Sequence, residues 1–98
     1  MFEVVDKKIA IKGRVSVMSL GRYRWIYEST PRVLILSTES GIDAQGRLFE
    51  GILFPKNVRW EKPYEDDLID EEEYELIKSN IREAITALEP NSLVEFHE

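Results

Sequence analysis

The 98-residue sequence has no cysteine, one histidine, four prolines and five glycines. Without cysteine there are no disulfide staples, zinc knuckles or thiol nucleophiles, and the chain suits a reducing cytosol. The one imidazole, His97, is next to the last residue, where ends fray, so no acid–base role is expected of it. The glycines lack G-x-G-x-x-G and phosphate-loop spacing, and no serine sits in a G-x-S-x-G elbow. No apolar run approaches the ~20 residues that span a bilayer, and Met1 to Asp6 has neither the basic flank nor the apolar stretch of a signal peptide. These absences lead us to expect a cytoplasmic protein that is not an enzyme and takes no cofactor.

Ten aromatic residues spread along the chain argue against disorder, and the length is that of one domain, 1–98, with room for one sheet and one helix over a common core. The net charge of −6 conceals an asymmetry. Residues 1–60 hold ten Lys or Arg against six acids, and residues 61–98 hold three against thirteen. From Glu61 to Glu75 nine carboxylates face only Lys62. Such a block repels nucleic acid and anionic membrane and steers a basic protein toward itself. Its bland reading is a solvated helix start.

The first sixty residues read as strands and turns. Phe2–Val5 and Ile9–Ile11 suit a hairpin, and Val15–Leu20 lies between Gly13 and Gly21. Tyr23, Trp25 and Tyr27 alternate onto one face of a strand. Val33-Leu34-Ile35-Leu36 is apolar at every position, which predicts a central strand covered on both sides. Ile52–Phe54 and Val58–Trp60 read as a strand or pair interrupted at Pro55, which suggests an edge or bulge.

One helix is well marked. Asp70 and Glu73 make a D-x-x-E capping box, Ile69 and Tyr74 occupy hydrophobic-staple positions, and Ile77, Ile81, Ala84, Ile85 and Leu88 form one apolar stripe before Glu89-Pro90. Leu93–Phe96 alternates as a last strand. The expected fold is α+β: a mainly antiparallel sheet of five to seven strands, one amphipathic helix over about 70–88, and a C-terminal strand.

A metal site in the acidic block is not supported, because no EF-hand pattern is present and Asp70 to Glu73 already suit a helix N-terminus. The favoured site is a partner-binding surface of Trp60, Glu65, Asp66, Asp67, Glu71, Glu72 and Glu75. Trp is enriched among interface hot spots, although Trp60 could equally close the core beneath the helix start. The alternative is a small nucleic-acid-binding domain that uses Arg22, Arg24, Trp25, Arg32 and Arg59 on a basic, aromatic sheet face. A third reading pairs these basic groups internally with the carboxylates, drawing sheet and helix start together. Edge strands near Pro55 or at Leu93–Phe96 leave self-association open.

From Tyr27 onward the chain resembles a family of small immunity proteins of bacterial polymorphic toxin systems, immunity protein family seventy-four. The likeness covers about two-thirds of the chain. It runs through Tyr27-Glu28, Val33-Leu34-Ile35, Thr38-Glu39, Gly51-Ile52-Leu53-Phe54, Ile77 to Ile85 and Val94 to Phe96. Its most specific parts are Val58-Arg59-Trp60-Glu61-Lys62-Pro63 and Ile69-Asp70-Glu71-Glu72-Glu73. The resemblance implies a cytoplasmic, non-enzymatic protein that binds and blocks a cognate toxin domain. It carries no catalytic residues over, and the assignment of the acidic stretch to an interface rests on charge alone.

Overall fold

Alternating side chains and tight turns make the first half of the chain a meander. The computed structural model describes residues 1–21 and 23–98. In chain order it forms β1 (Glu3–Asp6), β2 (Ile9–Lys12), β3 (Val15–Ser19), β4 (Arg24–Ser29), β5 (Arg32–Ile42) and β6 (Leu48–Leu53), then α1 (Glu71–Leu88) and β7 (Ser92–His97). The strands lie side by side in the same order, antiparallel from β1 to β6, with β7 parallel to β6. The architecture is α+β, as the periodicities predict. The β2–β3 turn uses Gly13 at φ 61°, a left-handed backbone that side chains with a Cβ resist.

The parallel join requires a crossover, because a strand leaving β6 cannot return in the same direction through a hairpin. Residues 54–70 and α1 supply it. The helix packs on β1, β2, β3 and β7, all on one face of the sheet. That face carries Ala10, Val17, Trp25, Tyr27, Leu34, Leu36 and Ile52, and the helix answers with Ile77, Ile81, Ala84 and Ile85, all buried.

Among the described residues the other face has no covering layer. Val33–Leu36 is therefore not the doubly covered strand its composition suggests: Leu34 and Leu36 are each 1% exposed, while Ile35 between them is 44% exposed. Ile35 ends a cross-strand row formed with Ile26, Met18 and Ile9.

β5 is 11 residues long because it serves two neighbours on one edge. Its second half, from Thr38, pairs with β6. Its first half pairs with β4 alone, and the chain after β6 runs back beside it, where the Glu61 amide donates to the Val33 carbonyl at 2.8 Å. Val58–Trp60 is therefore loop and not strand, and Pro55 follows an interior strand instead of marking an edge. The sheet edges are β1 and β7.

Candidate functional site

The acidic surface is built by residues 54–70 and the first turns of α1. Successive backbone turns fold this stretch: the amides of Val58, Tyr64 and Asp67 donate to the carbonyls of Pro55, Glu61 and Tyr64. Three rings anchor its ends. Phe54 stacks on Tyr74 with centroids 4.4 Å apart and an interplanar angle of 8°, and Phe96 lies 6.1 Å from Phe54. The Tyr74 hydroxyl donates to the Phe54 carbonyl, tying the helix start to the end of β6. Burial, with the charges of Glu98 and Glu75, raises the Tyr74 phenol and keeps it a donor.

Trp60 is the middle anchor. It is 3% exposed and stacks against Tyr27 with centroids 6.4 Å apart. Its expected place among the contact residues is corrected: the ring closes the core and offers a partner almost no surface. Beneath it the Tyr27 hydroxyl accepts from Asn80 Nδ2 at 3.1 Å, and burial raises the phenol above its ordinary value.

The helix begins as its cap chemistry requires. Asp70 Oδ1 accepts the Glu73 amide at 2.8 Å, and Ile69 and Tyr74 both pack into the core cluster. Glu71, Glu72 and Glu73 fill the first turn, where the aligned backbone dipoles favour negative charge.

The other expected contact residues divide by partner. Asp67 is committed to Arg32, whose Nε and Nη2 reach its Oδ2 at 3.0 and 2.7 Å. Glu65 is half-buried, and its carbonyl accepts from Arg59 Nη1 at 3.2 Å. Asp66, Glu71, Glu72 and Glu75 are exposed. Two residues of the same stretch not singled out in the sequence are also exposed: Leu68 at 77% and Leu76 at 59%. Leu76 shares a shallow hollow of about 300 Å³ with Asp70, Glu72 and Glu73. It adjoins Ile77 of the buried stripe but faces away from the core, and that offset was the available signal.

The basic, aromatic constellation does not assemble on one face. Trp25 and Tyr27 point into the core, at 3% and 2% exposure. Arg32 pairs with Asp67 and lies 5.2 Å from the Tyr64 ring centroid, Arg59 caps the Glu65 carbonyl, and Arg24 stands on the open sheet face. Arg22 lies outside the described residues. The internal pairing of basic groups with carboxylates is realised at Arg32–Asp67.

A second acidic feature lies at the far end of the helix, about 27 Å away at 1.5 Å per residue over 18 residues. Glu50 of β6, only 7% exposed, faces Glu89, the residue that caps the C-terminus of α1. Burial, then the charge and hydrogen bond of Glu50, raises the Glu89 carboxyl above its ordinary value. No sequence pattern joins these two acids.

Among the described residues no group of three or more His, Cys, Asp or Glu converges as a metal site, and no helix is long and apolar enough to cross a membrane. Comparison of the chain with protein-family models, curated proteins and solved structures yields no match.

Proposed function

We propose that this chain is an immunity-type inhibitor, a cytoplasmic binding module that neutralises a toxin domain by occupying a basic surface of it, such as the substrate cleft of a nuclease. One observation carries the reading. Asp66, Glu71, Glu72 and Glu75 are exposed in the same short stretch as two exposed leucines, Leu68 and Leu76, on a frame held by Trp60, Tyr74 and the Asp70 cap, and Leu76 shares a hollow with Glu72. Protein interfaces combine apolar anchors with charges: the anchors hold, while the charges exclude wrong partners and speed encounter.

The mechanism is binding without chemistry. Carboxylates that would meet phosphate-binding arginines or lysines of a nuclease do so by imitating the charge of its substrate. Glu71 and Glu72 sit in the first turn of α1, where the aligned backbone dipoles favour negative charge. A stacking surface for nucleic acid would instead require ring faces, and Trp25 and Tyr27 spend theirs in the core.

Reversal of Asp66, Glu72 and Glu75 to Lys tests this face. Asp67, Asp70 and Glu65 stay unchanged because Asp67 is paired with Arg32, Asp70 caps the helix and Glu65 is half-buried. The variant should fold, as read by circular dichroism, and lose binding to the toxin mainly through a slower association rate. Unchanged binding by the folded variant would move the interface elsewhere.

A further inference from the structure

Glu50 and Glu89 line a cleft of about 450 Å³ between the C-terminus of α1 and the projecting end of the β5–β6 hairpin. Tyr23, Ile42, Leu48 and Ser92 form much of the remaining wall. One Glu50 oxygen, Oε1, accepts from Ser40 Oγ at 2.8 Å. The other, Oε2, is buried without an N–H or hydroxyl donor, as is Oε2 of Glu89, so the Glu50–Glu89 carboxyl pair has only its own hydrogen bond to share. A buried acceptor left without a donor is destabilising, and more so when charged. Two such oxygens on facing carboxyls call for a donor between them: a shared proton, a bridging water or a cation that donates to both.

The surroundings favour a cation. The last turn of α1 contains no basic residue, so the negative end of the helix dipole is uncompensated at the cleft. Among the described residues no Lys, Arg or His lines the cleft, and Glu50, Glu89 and Tyr23 are its titratable groups. A metal ion is a poor fit: two carboxylates fall short of the six to eight oxygens that calcium gathers. An organic cation fits better, because the walls include the apolar side chains Ile42 and Leu48, exposed at 67% and 47%, and the Tyr23 ring, exposed at 64%.

We propose that this cleft is a binding site for a guanidinium group, such as an arginine side chain carries, which enters between the Glu50 and Glu89 carboxyls and donates an N–H to each. A planar fork supplies two N–H donors at fixed spacing and a face for an aromatic ring, which a spherical ammonium does not. The stem of the side chain rests on Ile42 and Leu48. When the pair holds a shared proton, entry of the cation releases that proton to solvent. The site is distinct from the acidic surface at the helix start and does not depend on the inhibitor reading.

The test is titration of the ¹⁵N-labelled protein, followed by NMR, with four probes. These are Nα-acetyl-arginine methylamide, free arginine, Nα-acetyl-lysine methylamide and the neutral isostere Nα-acetyl-citrulline methylamide. Saturable shifts at Ser40, Glu50, Glu89 and Ser92 are expected with the two arginine probes, with weaker response to lysine and none to citrulline. Tighter binding of the blocked arginine than of the free amino acid would assign the site to arginine within a polypeptide, and the reverse order to the small molecule. Glu50→Gln should weaken the arginine response by about tenfold or more. Glu89→Gln, at the more open side of the cleft, should do the same and serves where Glu50→Gln fails to fold. The absence of saturable shifts, an equal response to citrulline or lysine, or undiminished binding by a folded variant would overturn the proposal.

Discussion

Arg32 at the start of β5 and Asp67 in the loop before α1 are 35 residues apart in sequence and joined at 2.7 Å. This pair closes the acidic loop onto the first half of β5, the stretch that β6 leaves unpaired. Both side chains keep over a third of their surface in water, at 40% and 48%, so the bond is screened. A double-mutant cycle of Arg32→Ala and Asp67→Ala in urea should give a coupling of about 0.2–1 kcal/mol, shrinking as salt is added. A much larger coupling would mean that the loop is held by the pair and not by its aromatic anchors.

Adjacent helix positions should behave oppositely. Ile77 is 2% exposed and Leu76 is 59% exposed. Ile77→Ala should cost about 2–5 kcal/mol by leaving a cavity, while Leu76→Ala should change stability by no more than about 0.5 kcal/mol. Thermal or urea unfolding separates the two, and an equally large loss at Leu76 would remove it from the surface.

The cap bond from Asp70 to the Glu73 amide can be removed alone. Asp70→Ala should cost about 0.5–2 kcal/mol, whereas Asp70→Asn, which keeps an acceptor oxygen, should cost less. Equal losses would show that the negative charge, and not the hydrogen bond, is what the helix start needs.

The raised carboxyl of Glu89 fixes the sign of a pH effect. Just above its ordinary value of 4.5 the folded protein still holds a proton that the unfolded chain has released. Stability from this group is therefore present at lower pH and is lost as pH rises through the folded value. The Asp43 carboxyl, lowered chiefly by the Arg47 amide, has the opposite sign and acts at lower pH. Glu89→Gln removes the ionisation, so its melting temperature relative to the parent should climb as pH rises from 4.5 through the folded value. A constant difference would contradict the buried pairing with Glu50.

The helix was legible because its signals are local. Ile69, Asp70, Glu73 and Tyr74 lie within six positions, and each has a geometric task at a helix start. The hairpins before residue 30 were legible for the same reason. Ile35 was misjudged because an unbroken apolar run does not disclose how many layers cover a strand. Val58–Trp60 has strand composition, but β7 takes the place beside β6 and leaves that segment to run as loop along β5. Trp60 was ambiguous in sequence, since the same ring serves a hot spot or a core, and burial beside Tyr27 decides for the core. Of the acidic stretch, composition identified the charge but not the division between Asp67, which is paired, and Asp66, which is exposed. Glu50 and Glu89 meet only through the parallel crossover, a long-range arrangement without a sequence period.

Capture from the native cell is the most direct measurement of the inhibitor function. The parent chain and the Asp66→Lys, Glu72→Lys, Glu75→Lys variant would be used side by side with salt-stepped washes, mass spectrometry and analysis of eluted nucleic acid. The prediction is one basic polypeptide retained by the parent, released late in the salt series and lost by the folded variant. Produced alone that polypeptide should arrest growth, and co-production of the parent chain should restore it. Recovery of nucleic acid without such a protein, or of a polypeptide whose toxicity the chain does not relieve, would contradict the inhibitor function.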